Sequence, residues 1–424
     1  MRTEEKRGAD GGITRFWLRL TDIGDPDPLP AHDLAGTGLA DALAVIDAGH
    51  RTPSAGAIHP NECYVVCRAG DGLALFQVDG RTRVCRRLPA ARSLELVLTA
   101  TGLPAPQPGA AHILVVTRPW LSMRKYGYRG FLYTQIDAAH LATSLLGVAR
   151  DRDPRAVLRM RIDRRALSEL LGLDQGLREV HSVVSLGPSG QPVDIDGWTG
   201  LDARAADPLA SFRNPLELAC RTVIDPQLPV GAEPPPLAPR PIPLSITDAA
   251  AQPPSGTWTE LTRFRRSSKK FRPGAGIPAP RLAEALAAAS WRLPVDLPAD
   301  GIEMTVVPQG DRAATLRACM LQRHLGDAGA YVLLHTAHDE LLDRRHVLRE
   351  MIFRAGAVGH LVYLGATAAE LGVTGVGGFD GARWLRIAGL PAHHQVLYVL
   401  ALGEDDHTGT KLDRLQSAYA QAER

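Results

Sequence analysis

The sequence predicts two tandem α+β domains packed against each other as an intramolecular pseudo-dimer. Two observations carry this: a proline-rich stretch in mid-chain, and a pattern of segments that recurs on either side of it. The 424 residues leave room for two or three domains with ample core. Between Pro226 and Pro254, ten prolines fall in 29 residues. Such a run cannot sustain helix or central strand, because proline lacks the amide donor and fixes φ. It reads as an extended, semi-rigid connector. The chain thus divides into a unit over 1–225, a connector over 226–256 and a unit over 257–424.

The two units read as distant copies. Residues 13–36 (ITRFWLRLTDIGDPDPLPAHDLAG) align without gaps to 261–284 (LTRFRRSSKKFRPGAGIPAPRLAE). The strand-like run Glu62–Val66 matches Glu303–Val307. The segment from Phe131 matches that from Met351, setting His140 opposite His360, and both show the 3.6-residue periodicity of a buried central helix. RRALSELLGL then pairs with GARWLRIAGL, and REVHSVVSLG with HHQVLYVLALG, each a helix followed by a buried strand. Each unit is therefore helix, strand, long central helix, short helix, strand, and two fused copies suggest a pseudo-dimer.

Composition narrows the function classes. The 48 basic residues nearly balance 46 acidic ones, for a net charge of +2, which is not the excess of a nucleic-acid binder. Five cysteines (Cys63, Cys67, Cys85, Cys220 and Cys319) form no CxxC pair, against a disulfide framework or a zinc site. The polar N-terminus lacks a signal-peptide apolar core, and no run approaches a membrane span. A cytoplasmic protein with neither nucleic-acid nor membrane partners is the expectation. Only five of the basic residues are lysines (Lys6, Lys125, Lys269, Lys270 and Lys411), so each is worth placing.

Two motifs of the second unit suggest anion and ring binding. RRSSKK offers guanidiniums, hydroxyls and ammoniums within six residues, ahead of a helical stretch beginning near Pro278. Bidentate arginine with point-charge lysine suits a phosphate; the bland alternative is a solvated basic loop. GVGGFD puts Gly377 and Gly378 where backbone can approach a flat ring, although a Gly-Gly pair alone is more often a turn.

RRSSKKF (265–271), LGVTGVGGFD (371–380) and the strand VLYVLALGE together resemble the FMN-dependent nitroreductase fold. In the first unit, RTPSAGAIHPNECYVV (51–66) and RKYGYRGFLYTQIDAAH (124–140) resemble the SagB/ThcOx-type branch, the azoline dehydrogenases of peptide natural-product pathways. The resemblance implies FMN as cofactor, its phosphate on Arg265, Arg266, Ser267 and Lys269, and flavin N5 at the backbone of Gly377 and Gly378. It implies a ring wall from Pro53, Ser54, Ala55 and Gly56, and a second basic phosphate contact at Lys411. It makes Lys125 and Tyr126 the catalytic pair. Cα–H proton removal from a thiazoline or oxazoline would fall to a lysine neutralised by burial, or to a tyrosinate favoured by the lysine charge. His59, His140 and His360 read as structural. The implied partners are a peptide or carrier-bound azoline and a cyclodehydratase.

The repeats also differ in a complementary way. Opposite Arg265–Lys269 the first unit has Trp17, Leu18, Arg19, Leu20 and Thr21, and opposite Gly377-Gly378 it has Met160 and Arg161. The second unit has VDLPADG (295–301) in place of PSAGAIHP, and Arg345 and His346 in place of Lys125 and Tyr126. One complete FMN site, assembled from both units, is the expectation. Alternative functions are an NAD(P)H-dependent nitro or quinone reductase, another flavin oxidase, or a flavin-free peptide-binding scaffold.

Overall fold

The computed structural model describes residues 27–28, 37–88, 94–171, 173, 178–189, 193, 197–202, 240–241, 257–291, 293–297, 301–337 and 345–407. Cys220, Lys411, most of the connector and the alignment from residue 13 lie outside these residues.

The first part of the chain contributes β1 (Asp27–Pro28), α1 (Leu39–Gly49), β2 (Asn61–Ala69), β3 (Gly72–Asp79), β4 (Val84–Leu88) and α2 (Leu94–Ala100). It continues with β5 (Ala111–Thr117), α3 (Pro119–Tyr126), α4 (Arg129–Arg152), β6 (Val157–Arg159), α5 (Arg164–Leu170), β7 (Glu179–Leu186) and β8 (Thr199–Asp202). The second part supplies β9 (Arg240–Pro241), α6 (Trp258–Phe264), α7 (Ala279–Ala287), β10 (Pro294–Val295), β11 (Glu303–Pro308) and α8 (Arg312–Ala318). After these come β12 (Ala330–Ala337), α9 (Arg345–Ala368), β13 (Gly372–Val376), α10 (Gly381–Ala388) and β14 (His394–Gly403).

The four-stranded sheet of the second part has the order β11-β12-β14-β13 and is antiparallel throughout. In the ten-stranded sheet, whose other strands include β9 and β10 of the second part, β2-β5-β7-β6 repeats that order and those directions. The internal repeat read from the sequence is therefore present in the strand pairing. Both copies even share a register shift in the second strand, between Val115 and Val116 and between Leu334 and His335. The strands β5 and β12, which had not been singled out, are apolar and buried on both faces, so they lack the alternation that marks a half-buried strand.

The two long helices α4 and α9, 24 residues each, cross in the middle of the molecule. Ala139 on α4 meets Gly356 on α9, where a Cβ would collide with the Ala139 methyl; glycine lets the backbones approach. Residues from both parts share one core: Leu293, Val295 and Leu297 pack with Leu145, Val184 and Phe353. Each such aliphatic side chain contributes about 1.5–3 kcal/mol when fully buried. Strand β10 also extends the ten-stranded sheet by pairing with β6. Among the described residues Cys63, Cys67, Cys85 and Cys319 are buried free thiols, and no helix is long and apolar enough to cross a membrane.

Candidate functional site

Helix α3 starts with Pro119 at its first turn and stops at Gly127, whose φ of +59° turns the chain into α4. Lys125 and Tyr126 therefore sit at a helix end, beside the loop that precedes β2. Ser54 Oγ in that loop donates to Asp137 Oδ2 at 2.6 Å, and the Ala55 N–H reaches both carboxylate oxygens at 3.2 Å. The His59 N–H donates to Ser54 Oγ at 2.8 Å. At Gly56 φ is +63°, and a Cβ would run into the Tyr126 hydroxyl and lie 2.7 Å from Lys125 Nζ. The loop of Pro53, Ser54, Ala55 and Gly56 and the Lys125-Tyr126 pair thus form one wall, anchored on a buried aspartate. Burial pushes the Asp137 carboxyl up to about 7, against the pull of its hydrogen bonds from Ser54 and Ala55.

The facing wall comes from the second part. Gly377 and Gly378 follow β13, and the carbonyl of Gly377 accepts from the Tyr133 hydroxyl. The carbonyl of Gly378 accepts from Gln322 Nε2 at 2.7 Å, while Arg129 Nη2 reaches the Phe379 carbonyl at 3.4 Å. Tyr126 meets Tyr133 edge-on, with ring centroids 5.1 Å apart. A line of contacts therefore runs Gly56–Tyr126–Tyr133–Gly377 across the two parts. With both glycine carbonyls engaged, the N–H groups are what this turn offers to a ligand.

The RRSSKK segment follows α6, whose start is fixed by a capping box between Thr257 and Glu260. Thr259 anchors the helix on α4 through its N–H and hydroxyl, each 2.8 Å from Asp151 Oδ2. Arg265 is buried: its Nε donates to the Arg51 carbonyl at 3.2 Å, tying this segment to the loop of Ser54. Its guanidinium also lies 5.5 Å from the ring centre of Tyr363, and Ser267 Oγ is 3.2 Å from the Tyr363 hydroxyl.

Arg266, Lys269 and Lys270 are exposed, so the expected clamp is not one convergent cluster in the protein alone. The Ser268 N–H holds the segment in place on the Val373 carbonyl at 2.8 Å.

Behind both walls lies a buried polar hub. His140 Nε2 is 3.1 Å from the Tyr398 hydroxyl and His140 Nδ1 is 3.4 Å from His360 Nδ1. Burial, with the nearby Arg265 charge, holds His140 down at about 3; burial, His140 and Arg265 hold His360 well below its usual value. Both imidazoles are neutral, as befits structural residues.

At the position related by the strand repeat, the arrangement differs. Met160 and Arg161 follow β6 as Gly377 and Gly378 follow β13. Asp296 accepts from their N–H groups at 2.6 and 3.2 Å, and Arg161 Nε pairs with Glu350 at 3.2 Å. Protein groups fill that position. The side chains of Arg345 and His346 lie outside the described residues.

Two chemical expectations for Lys125 and Tyr126 need correction. Lys125 is exposed, so the chain alone does not supply the burial expected for it. Tyr126 is held above its usual value by burial first and by Asp137 second, which disfavours the phenolate.

The sequence reading missed Asp137, Tyr133, Arg129 and Gln322. A signal for the first two was present: Tyr133, Asp137, His140 and Ser144 recur at helical spacing in a segment otherwise apolar and small. Arg129 and Gln322 carried none.

Fold and contacts together define an α+β protein in which the Ser54–Gly56 loop and the Gly377-Gly378 turn, from the two parts of one chain, are joined through Tyr126 and Tyr133. Residues 297–404 match the model of the Nitroreductase family. Over 84% of its length it is similar in fold to a candidate nitroreductase from Anabaena variabilis, covering 82% of that chain at 19% identity with a TM-score of 0.61. Shorter relatives overlay about a third of it. A candidate nitroreductase from Desulfovibrio desulfuricans in complex with FMN is 18% identical over 35% of this chain and 87% of its own, with a TM-score of 0.29. Nitroreductase A from Vibrio parahaemolyticus is 16% identical over 35% of this chain and 66% of its own, with a TM-score of 0.29. No curated protein matched in sequence.

Proposed function

We propose that this chain is an FMN-dependent oxidoreductase with one flavin site, built where two tandem nitroreductase-like domains meet as an intramolecular pseudo-dimer. The observation that carries this is the contact line from Gly56 through Tyr126 and Tyr133 to Gly377, which joins the wall from one domain to the wall from the other. FMN fits the residues present. Small or backbone surface from Pro53, Ser54, Ala55 and Gly56 faces the Gly377-Gly378 turn, whose N–H groups suit a ring-edge acceptor. Arg265, Ser267, Arg266 and Lys269 would hold the phosphate. The related position is taken by Asp296, which supports a single flavin per chain.

Within this reading the reaction is oxidation of a thiazoline or oxazoline ring to the azole in a peptide or carrier-bound substrate. FMN, when bound, supplies a two-electron acceptor for the hydride leaving Cβ. Lys125, exposed at the cleft beside Gly56, takes the Cα proton once substrate covers it. Tyr126, held as a neutral phenol, orients the ring by donating a hydrogen bond. Tyr133 and Asp137 position the two walls.

The test measures flavin absorbance per chain, then turnover of an azoline peptide by K125A/Y126F. One FMN per chain and loss of azole formation with flavin retained support the reading. Two FMN per chain sink the single-site assignment, and an active double variant sinks the catalytic one. Rapid bleaching of the flavin by NADPH would favour a nitro or quinone reductase, and a chain that takes up no FMN would point to a scaffold.

A further inference from the structure

Outside the cleft, three side chains on three adjacent antiparallel strands converge at one end of the four-stranded sheet. Glu303 on β11, His335 on β12 and His394 on β14 each offer a ligand atom, and these atoms all lie within 4.8 Å of one another. Strand register explains the convergence. Glu303 is directly opposite His335, and His335 pairs with Val396, two residues along the same face from His394. Glu303 and Thr305 share their face of β11 with Val307, which packs with Val396 and Trp384 on the side away from α9. The cluster thus lies on the face of the sheet away from α9.

The chemistry of the three groups is that of a transition-metal site. His335 Nδ1 and His394 Nδ1 face each other at 2.9 Å, and His335 Nε2 is 2.8 Å from Thr305 Oγ1. The Thr305 hydroxyl fixes the ring orientation of His335, and with a metal on Nδ1 the Nε2–H would donate to it, the usual arrangement behind a metal-bound histidine. We propose that Glu303, His335 and His394 bind a divalent transition-metal ion of the zinc class, with a fourth position open to solvent.

With metal–nitrogen bonds of about 2.0–2.1 Å, tetrahedral ligand atoms stand roughly 3.4 Å apart. The two nitrogens need to part by about half an ångström, and the exposed Glu303 carboxylate closes in by a rotamer change. His335 is fully buried while His394 is partly so, which gives the ion a route from solvent. Two neutral imidazoles and one carboxylate leave a divalent ion with a net charge of +1, compatible with a half-exposed sheet end. The alternative occupant of this geometry is a proton, shared in a plain histidine–histidine hydrogen bond.

The test uses the full chain, stripped with chelator and titrated with Co2+ and then Zn2+. The expected result is one equivalent of Co2+ with visible tetrahedral d–d bands that zinc displaces. H394Q should abolish the bands, E303Q should weaken binding, and T305V, which touches no metal, should weaken it about 10–100-fold and shift the spectrum. All three positions are at least partly solvent-accessible, and circular dichroism checks that each variant folds. Flavin content should be unchanged in each, which separates this site from the cleft. Absence of stoichiometric cobalt binding in the wild-type chain, or equal binding in H394Q and E303Q, overturns the proposal.

Discussion

Ser54 Oγ donates to Asp137 Oδ2 at 2.6 Å across 83 residues of chain, fastening a loop of one wall to the middle of a buried helix. Asp137 accepts three hydrogen bonds there and yet has its carboxyl raised to about 7, so desolvation outweighs them. Between about pH 4 and pH 7 the folded chain holds a proton that the unfolded chain has lost. Stability from this group is therefore full below its unfolded value and falls as pH rises through 7, by up to ~1.4 kcal/mol per pH unit. Asp137→Asn should flatten that part of the stability–pH curve, measured by urea unfolding from pH 4 to 8. An unchanged slope would refute the shift.

The two central histidines act in the opposite sense. Their folded values lie below the unfolded one, so each must give up a neutral, buried state as acid is added. Stability should fall below about pH 6.5, at up to ~1.4 kcal/mol per pH unit for each histidine. Both therefore oppose Asp137, each losing stability on acidification below the ordinary histidine value. His360→Gln should shallow the acid limb of the unfolding curve.

Tyr133→Phe removes only the hydroxyl that bonds the Gly377 carbonyl. A cost of about 1 kcal/mol in global stability is expected, from one hydrogen bond. Flavin affinity should drop more clearly, because the turn that carries Gly377 and Gly378 loses its tether. Equilibrium dialysis with FMN measures this, and unaltered affinity would show that Tyr133 does not position the turn.

Gly56→Ala combines a left-handed backbone with a Cβ aimed at Tyr126 and Lys125. The backbone alone costs about 1–2 kcal/mol, and the displaced pair should lose turnover while the fold survives. Comparing kcat with the melting temperature separates the two effects.

Asp296→Ala leaves the N–H groups of Met160 and Arg161 without their buried acceptor. About 1–3 kcal/mol should be lost for each group left unsatisfied, and flavin content should stay at one per chain. A second equivalent of FMN would mean that Asp296 alone closes the related position.

The sequence carried the repeat, because the central helices and the final strands keep their apolar periods in both copies. It also carried the members of the cleft wall that announce themselves by type, such as Gly56, Lys125 and the Gly377-Gly378 pair. Arg265 was legible as a cation but not as a buried one, since its direction depends on backbone held by Ser268 and Val373, far apart in sequence. Tyr133 and Asp137 were hidden inside a helix that reads as core. Arg129 and Gln322 are ordinary surface residues until the fold brings Phe379 and Gly378 to them. Pairings of this kind arise from tertiary geometry, which no local pattern encodes.

In a symmetric pair of identical chains every substitution is made twice, and a change that closes one cleft closes both. Here Asp296 caps the N–H groups of Met160 and Arg161 at one position, and no equivalent carboxylate caps Gly377 and Gly378 among the described residues, within a single polypeptide. A substitution at either position is made once, so the two are free to diverge separately.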